Sequence, residues 1–318
     1  MQTSHLLAHS RTLASLSCWE EALESLDQAL AIEPDWEELW KYRSELLVEL
    51  NRPEEAIEAL GKWLDIAPEA ADGYYLRGLL LAQSGQFTDA LIDLRLYTEL
   101  EPEDVLGHLQ LGCVLDDLSR FSQALEALEK ALDVDPAHAE SYYYQASVLL
   151  KSRKYNEAWA SIELGIGLDP EDLIEYHLLA SRIQIARNKY RKALQQLDEV
   201  ETIQADHPLI AYQRAVIFDQ MGMPQRAVEQ IDIHLGNMPD DAVAWHFKSH
   251  LHLALEDPKE ALTAIEEAIK LNPESIRYKK FRKYLNYLIS KEAWRKSGAL
   301  KVSKQFDKTP DPSNDPDL

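Results

Sequence analysis

Proline recurs in this chain at a fixed interval. Pro34, Pro68, Pro102, Pro136 and Pro170 stand 34 residues apart, and so do Pro239 and Pro273. Alanine keeps the same step independently, at Ala22, Ala56, Ala90, Ala124 and Ala158 and again at Ala193, Ala227 and Ala261. The one irregular interval, Ala158 to Ala193, is 35 residues, and Ala205 stands where that stretch would carry its proline. Length alone, at 318 residues, suggests about two ordinary domains. A shared period of this size replaces them with a stacked array in which each unit buries its apolar face on the next.

Further columns give the unit its internal structure. Ser10, Ser44, Gly78, Gly112, Ala146, Ala180, Ala215 and Ser249 are all small and precede the alanine column by 12 or 13 residues. Small side chains at both places let two backbones approach closely. Four residues before each small residue stands Leu6, Trp40, Tyr74, His108, Tyr142, Tyr176, Ala211 or Trp245. Three residues after it comes Leu13, Leu47, Leu81, Leu115, Leu149, Ile183, Phe218 or His252. Spacings of four and three share one helical face. A second helix begins at the aromatic or proline three residues before each alanine: Trp19, Pro53, Phe87, Phe121, Tyr155, Tyr190, Pro224, Pro258. Proline is tolerated in a first turn, where its missing N–H has no partner to lose. The later proline column stops that helix. Strand signals are absent, so the fold class is all-α.

These columns resemble the tetratricopeptide repeat. The resemblance covers residues 3–275 as eight repeats, at 3–36, 37–70, 71–104, 105–138, 139–172, 173–207, 208–241 and 242–275. It implies an α-solenoid of antiparallel helix pairs, a right-handed superhelix whose first helices line a concave groove. His108 and Ala211 depart from the bulky aromatic, and His252 departs from the large apolar residue. Residues 276–297 read as a C-terminal capping helix, with Phe281, Leu285, Leu288 and Ile289 on one stripe. Residues 298–318 are polar and proline-bearing, the composition of a disordered tail.

Composition narrows the functions. The net charge is −22, which repels phosphate and argues against nucleic acid on the repeat array. That charge is uneven: residues 1–275 carry 22 Lys and Arg against 50 acids, whereas residues 276–308 carry 11 against two. Basic and aromatic residues alternate in the latter segment, with Lys279, Lys280, Arg282 and Lys283 beside Tyr278, Phe281 and Tyr284. Such a patch can dock on anionic lipid or nucleic acid, or it can simply offset the acidic array next to it; the second reading is preferred. Two cysteines make neither a disulfide framework nor a four-thiolate metal site. No leader pattern or membrane-length apolar run occurs in the sequence, so the expected location is cytoplasmic.

No catalytic motif stands out, and the chain is expected to be no enzyme and to carry no cofactor. The pair Gly165 and Gly167 falls where a helix must end. His246 and His250 are four apart on one face, but two imidazoles fall short of the three or four ligands zinc wants, so no metal is expected. The face beside the core columns starts one residue after the aromatic column and recurs four residues later. It assigns Tyr75, Leu79, Leu109, Cys113, Tyr143, Ser147, Tyr212, His246 and His250 to the groove, with Asp116 nearby. Aromatic anchors on such a face suit an extended peptide or a partner helix. The lysine, asparagine and arginine that grip chaperone C-termini in some repeats of this type are missing from these places. The expected function is a protein-binding scaffold or adaptor, whose partner offers a basic or apolar segment. The runner-up is an assembly or membrane-associated factor acting through residues 276–308. A homo-oligomer is left open.

Overall fold

A computed structural model describes residues 1–291, which are helical throughout and contain no strand. They divide into two compact units, Met1–Leu173 and the chain from Ile174. In the first unit α1 (Gln2–Ser15) packs on α2 (Trp19–Ile32) and α3 (Glu37–Glu49) on α4 (Pro53–Ile66). Three more pairs follow: α5 (Ala71–Gln83) with α6 (Phe87–Leu100), α7 (Val105–Asp117) with α8 (Phe121–Val134), and α9 (Ala139–Lys151) with α10 (Tyr155–Gly167). The second unit has α11 (Leu173–Ala186) with α12 (Tyr190–Ile203), α13 (Pro208–Gln220) with α14 (Pro224–Asn237), and α15 (Ala242–Ala254) with α16 (Pro258–Leu271). The helix α17 (Ile276–Lys291) then packs on α16. The rest of the expected cap, residues 292–297, and the tail at 298–318 lie outside the described residues.

Every second helix begins at the aromatic or proline that marked it in the sequence, from Trp19 to Pro258. The alanine column is wholly buried at all eight places. Against it lies the small column, in direct contact: Ser10 Oγ donates to the Ala22 carbonyl at 2.6 Å and Ser249 Oγ to the Ala261 carbonyl at 2.5 Å. Where the small residue is glycine, even a methyl group is too large. A Cβ at Gly78 would sit 2.9 Å from Leu94 Cγ, and one at Gly112 would sit 2.7 Å from Leu128 Cγ.

The aromatic and proline columns are also tied together. Trp40 Nε1 donates to the Pro34 carbonyl at 2.7 Å, Trp245 Nε1 to Pro239 at 2.8 Å, and Tyr74 OH to Pro68 at 3.1 Å. His108, a departure by residue type, keeps the bond: its Nε2 lies 2.9 Å from the Pro102 carbonyl.

A column that residue type conceals sits between the two helices of each pair. Ser17, Asn51, Gly85, Ser119, Arg153, Asn188, Gly222 and Glu256 all have φ between 55° and 74°. Each ends its helix in the same way. The Asn51 N–H bonds the Val48 carbonyl and the Arg52 N–H bonds Leu47, both at 2.9 Å, and the other seven turns repeat this pattern. The left-handed residue satisfies carbonyls that the helix end would leave open. At the end of α10 the left-handed place falls to Asp169, φ 52°, rather than to either glycine of the Gly165–Gly167 pair.

Candidate partner-binding surface

In the first unit α5 touches α7 and α7 touches α9, so first helices lie side by side as a layer. The N-terminus of α7 is held by Asp104, whose Oδ2 accepts from the Gly107 N–H and from Tyr97 OH, both at 2.8 Å. The Tyr97 ring packs against Tyr75, centroids 4.8 Å apart. Burial, then the Asp104 contact, pushes the Tyr97 hydroxyl far above the ordinary range, so it stays a donor. Tyr75 and Leu79 are half-buried on α5, and Tyr143 and Ser147 are half-buried on α9. The Tyr143 ring meets Tyr144 edge-on at 5.5 Å.

Between them α7 offers a polar cluster. Asp116 Oδ2 accepts from Lys151 Nζ at 2.7 Å, while Oδ1 is buried with no hydrogen-bond partner. Burial and then Asp116 push the Asp117 carboxyl up. Burial, followed by the Asp116 charge, pushes the Cys113 thiol up to about 12. A thiol held neutral this firmly is a poor nucleophile at neutral pH. Leu109 corrects the sequence reading: expected in the groove, it is wholly buried among Leu91, Leu94 and Leu128. It packs the helices together and offers nothing to a partner.

In the second unit Tyr212 is half-buried, its ring 5.3 Å from His234 and 5.9 Å from Phe247. Burial pushes its hydroxyl up to about 12. His234 lies deep in this cluster: Nε2 is 2.8 Å from Asp241 Oδ2 and Nδ1 is 3.2 Å from the Pro208 carbonyl. Two acceptors on one ring call for two N–H donors, the imidazolium form. The Asp241 bond accordingly raises the His234 pKa against the opposing effect of burial. Asp241 also caps α15, accepting at Oδ1 from Val243 and Ala244 N–H.

His246 is a second correction. Together with His250 it was expected on the open face, and instead α17 covers both. The His246 ring lies 4.8 Å from Tyr278, and His250 stacks on Phe281 at 4.1 Å. His246 is buried, and its Nε2 is 3.1 Å from His250 Nε2. One Nε2 donates and the other accepts in that bond, so the two rings cannot both be protonated. Burial, helped by His250 and Arg277, pulls His246 down to about 2; burial and Arg277 pull His250 to about 4. Among the described residues no group of three or more His, Cys, Asp or Glu side chains is placed to hold a metal.

The helix α17 repeats the register with altered chemistry. One period after Trp245, Ser249 and His252 stand Lys279, Lys283 and Asn286. Tyr278, Phe281, Leu285 and Leu288 bury against the array, while Lys280 and Lys283 are exposed and Lys279 and Arg282 are half-buried. The places where other first helices grip a second helix are thus charged or polar. No helix among the described residues is long and apolar enough to cross a membrane.

Sequence models described as tetratricopeptide repeat match residues 19–80, 71–104, 109–172 and 242–275, together more than half of the chain. The chain belongs to the tetratricopeptide repeat family. No curated protein matches it in sequence. Among solved structures, a tetratricopeptide repeat protein from Parabacteroides merdae is 15% identical; the match covers 89% of this chain and 98% of that one, with a TM-score of 0.58. MamA from Desulfovibrio magneticus RS-1, from residue 41 onward, is 22% identical over 54% of this repeat protein and 96% of its own chain, TM-score 0.51. The APC/C hetero-tetramer Cut9–Hcn1 matches at 14% identity over 88% of this chain and 55% of that one, TM-score 0.58. At these identities the likeness is one of fold.

Proposed function

We propose that this repeat protein is a non-catalytic scaffold that binds a segment of another protein on its layer of first helices. One observation supports the reading: α5, α7 and α9 lie side by side, and Tyr75, Leu79, Cys113, Tyr143 and Ser147 on these helices are only half-buried. Half-buried aromatic rings give contact area at low entropic cost. The acids at Asp116, Asp117 and Glu140 favour a partner segment that carries Lys or Arg and speed its encounter. A chain of similar fold occurs in the APC/C hetero-tetramer Cut9–Hcn1, in keeping with a role in assembly.

Leu79→Arg with Ser147→Arg adds bulk and charge to the layer without touching the buried columns. Affinity capture with the wild-type chain and with this double variant, compared by quantitative mass spectrometry, tests the reading. Partners recovered by the wild type are expected to be lost from the variant. Equal recovery of every partner would remove the first-helix layer from consideration.

The alternative contact, through residues 276–308, is favoured by the exposed Lys280 and Lys283 of α17. Residues 292–308 of that segment lie outside the described residues. Lys280→Glu with Lys283→Glu separates the two readings, because it leaves the first-helix layer intact.

A further inference from the structure

The outer face of α6 breaks the rule that the second helices otherwise follow. Ile92 is 59% exposed, Leu96 37% and Leu100 41%. At spacings of four these three share one face. The residues one period away from Ile92 are Glu58 and Glu126, and those one period away from Leu96 are Lys62 and Lys130. No other second helix carries large apolar side chains at all three places. Asp89 and Glu99 fall on the same face of α6, and Glu101 and Glu103 follow in the turn. Arg95, the one base of α6, is engaged with Gln123 of α8 at 3.1 Å. The face is therefore apolar and acidic at both ends, with Glu58 and Lys62 on one flank and Glu126 and Lys130 on the other.

Acidic ends repel a second copy of the same face and suit a helix whose apolar residues are interleaved with lysines. The described residues hold one such helix, α17, which contains no acid. Ile276 is 68% exposed and Tyr287 54%, and with the exposed Lys280 and Lys283 they form a single stripe at spacings of four, three and four. Along a helix the span from Ile276 to Tyr287 is about 16 Å and that from Asp89 to Glu99 about 15 Å, at 1.5 Å per residue. The two stripes match in length and carry opposite charge, the acids at the ends of the α6 stripe and the lysines in the middle of the α17 stripe.

We infer that the outer face of α6 is a docking site for α17 of a second copy of this chain. The contact joins unlike surfaces, so each copy keeps one free donor and one free acceptor, and such contacts extend into open strings unless the rotation happens to close a ring. It uses neither the first-helix layer nor its partner.

Analytical ultracentrifugation of the full chain tests this. The wild type is expected to grow beyond a dimer with concentration at low salt and to shrink in high salt, as screening shortens to about 3 Å at 1 M. Leu96→Glu removes the acceptor; Lys280→Glu with Lys283→Glu removes the donor. All three positions are solvent-facing, and unchanged circular dichroism confirms that each variant folds. Each alone is expected to be monomeric. Mixed in equal amounts they are expected to form a discrete one-to-one dimer, because one variant keeps a sound α17 and the other a sound α6. A wild type that stays monomeric at every concentration, or a mixture that does not pair, overturns the inference.

Discussion

At the scale of single residues, the left-handed turn column sets a test of backbone strain. Among the described residues, seven non-glycine residues have positive φ, six of them in this column, including the bulky Arg153 and Glu256. A left-handed L-residue costs roughly 1–2 kcal/mol, against roughly 0.5–1 kcal/mol of added chain entropy for glycine. Arg153→Gly and Glu256→Gly are therefore each expected to raise the urea midpoint by an amount worth several tenths of a kcal/mol. Gly85→Ala should lower it by about 1 kcal/mol; an added Cβ there meets nothing within 4 Å, so any loss is conformational. This column was not legible in the sequence. Its members are Ser, Asn, Gly, Arg and Glu, and only the shared backbone angle unites them.

Two histidine clusters in the second unit give opposite pH dependences. His234 has a raised pKa, so its stabilising contribution is complete below the ordinary value of about 6.5 and fades as pH rises through its folded value. Burial pushes the Asp241 carboxyl up, but the bonds from His234, Ala244 and Val243 outweigh it and leave the pKa lowered. Its contribution is present above about 4 and is lost only on stronger acidification. His246 and His250 have lowered pKa values, so the unfolded chain takes up protons that the folded chain refuses. Stability should fall as pH drops from about 6.5 towards 4, by up to about 1.4 kcal/mol per pH unit for each group. Denaturant unfolding at stepped pH should show a flatter acid limb for His250→Gln than for the wild type. An unchanged limb would mean that these rings are not shielded by α17.

At the scale of helices, the stability of each pair rests on how closely its two small columns meet. Gly112→Val is expected to cost about 1–3 kcal/mol, because its Cβ must displace Leu128, which is wholly buried. A thermal melt of the variant beside Ser152→Val, a change on a half-buried turn residue, would show whether the cost is particular to the close approach. The sequence told this part well, since glycine, alanine and serine in register can mean little else. It also marked the first residue of every second helix. It failed at Leu109 and His246 for a definite reason. Helical spacing fixes the angle at which a side chain leaves its own helix, whereas exposure depends on the neighbour lying at that angle. For His246 the neighbour is α17, about one period further along the chain.

The ion pair between Arg77 and Asp93 belongs to this scale too, as it spans α5 and α6. Two bonds of 2.6 and 2.8 Å join them, and the Asp93 side chain is 3% exposed. Arg77→Leu leaves that carboxylate buried and unpaired, which costs about 3–5 kcal/mol in comparable sites. Arg77→Leu combined with Asp93→Leu should recover most of the loss. A double-mutant cycle read by chemical denaturation would measure the coupling.

At the scale of the whole molecule, repeat arrays contact chiefly their neighbours, so damage stays local. Removing residues 276–318 uncovers Leu253, Ile265 and Ala268. Hydrogen exchange is expected to accelerate in α15 and α16 and to remain unchanged in α1 to α4. Uniform acceleration along the chain would show that it unfolds as one block. The family and its helix pairs were legible because a period repeated over the array is hard to miss. The outer face of α6 was not, because three apolar residues in one unit look like noise until their exposure is known.

The lysines at positions 279 and 283 have a consequence for how such a chain can grow. A new unit copied in after α17 would meet charge where it needs a small side chain, and it would find no seat. A unit copied in ahead of α17, such as a second 242–275, would keep the existing joint between α16 and α17 and meet the preceding α16 at a new joint of the repeated kind. Duplication of a unit ahead of α17 therefore leaves the seat of α17 intact, and a designer wishing to add a unit should insert it between Ser275 and Ile276.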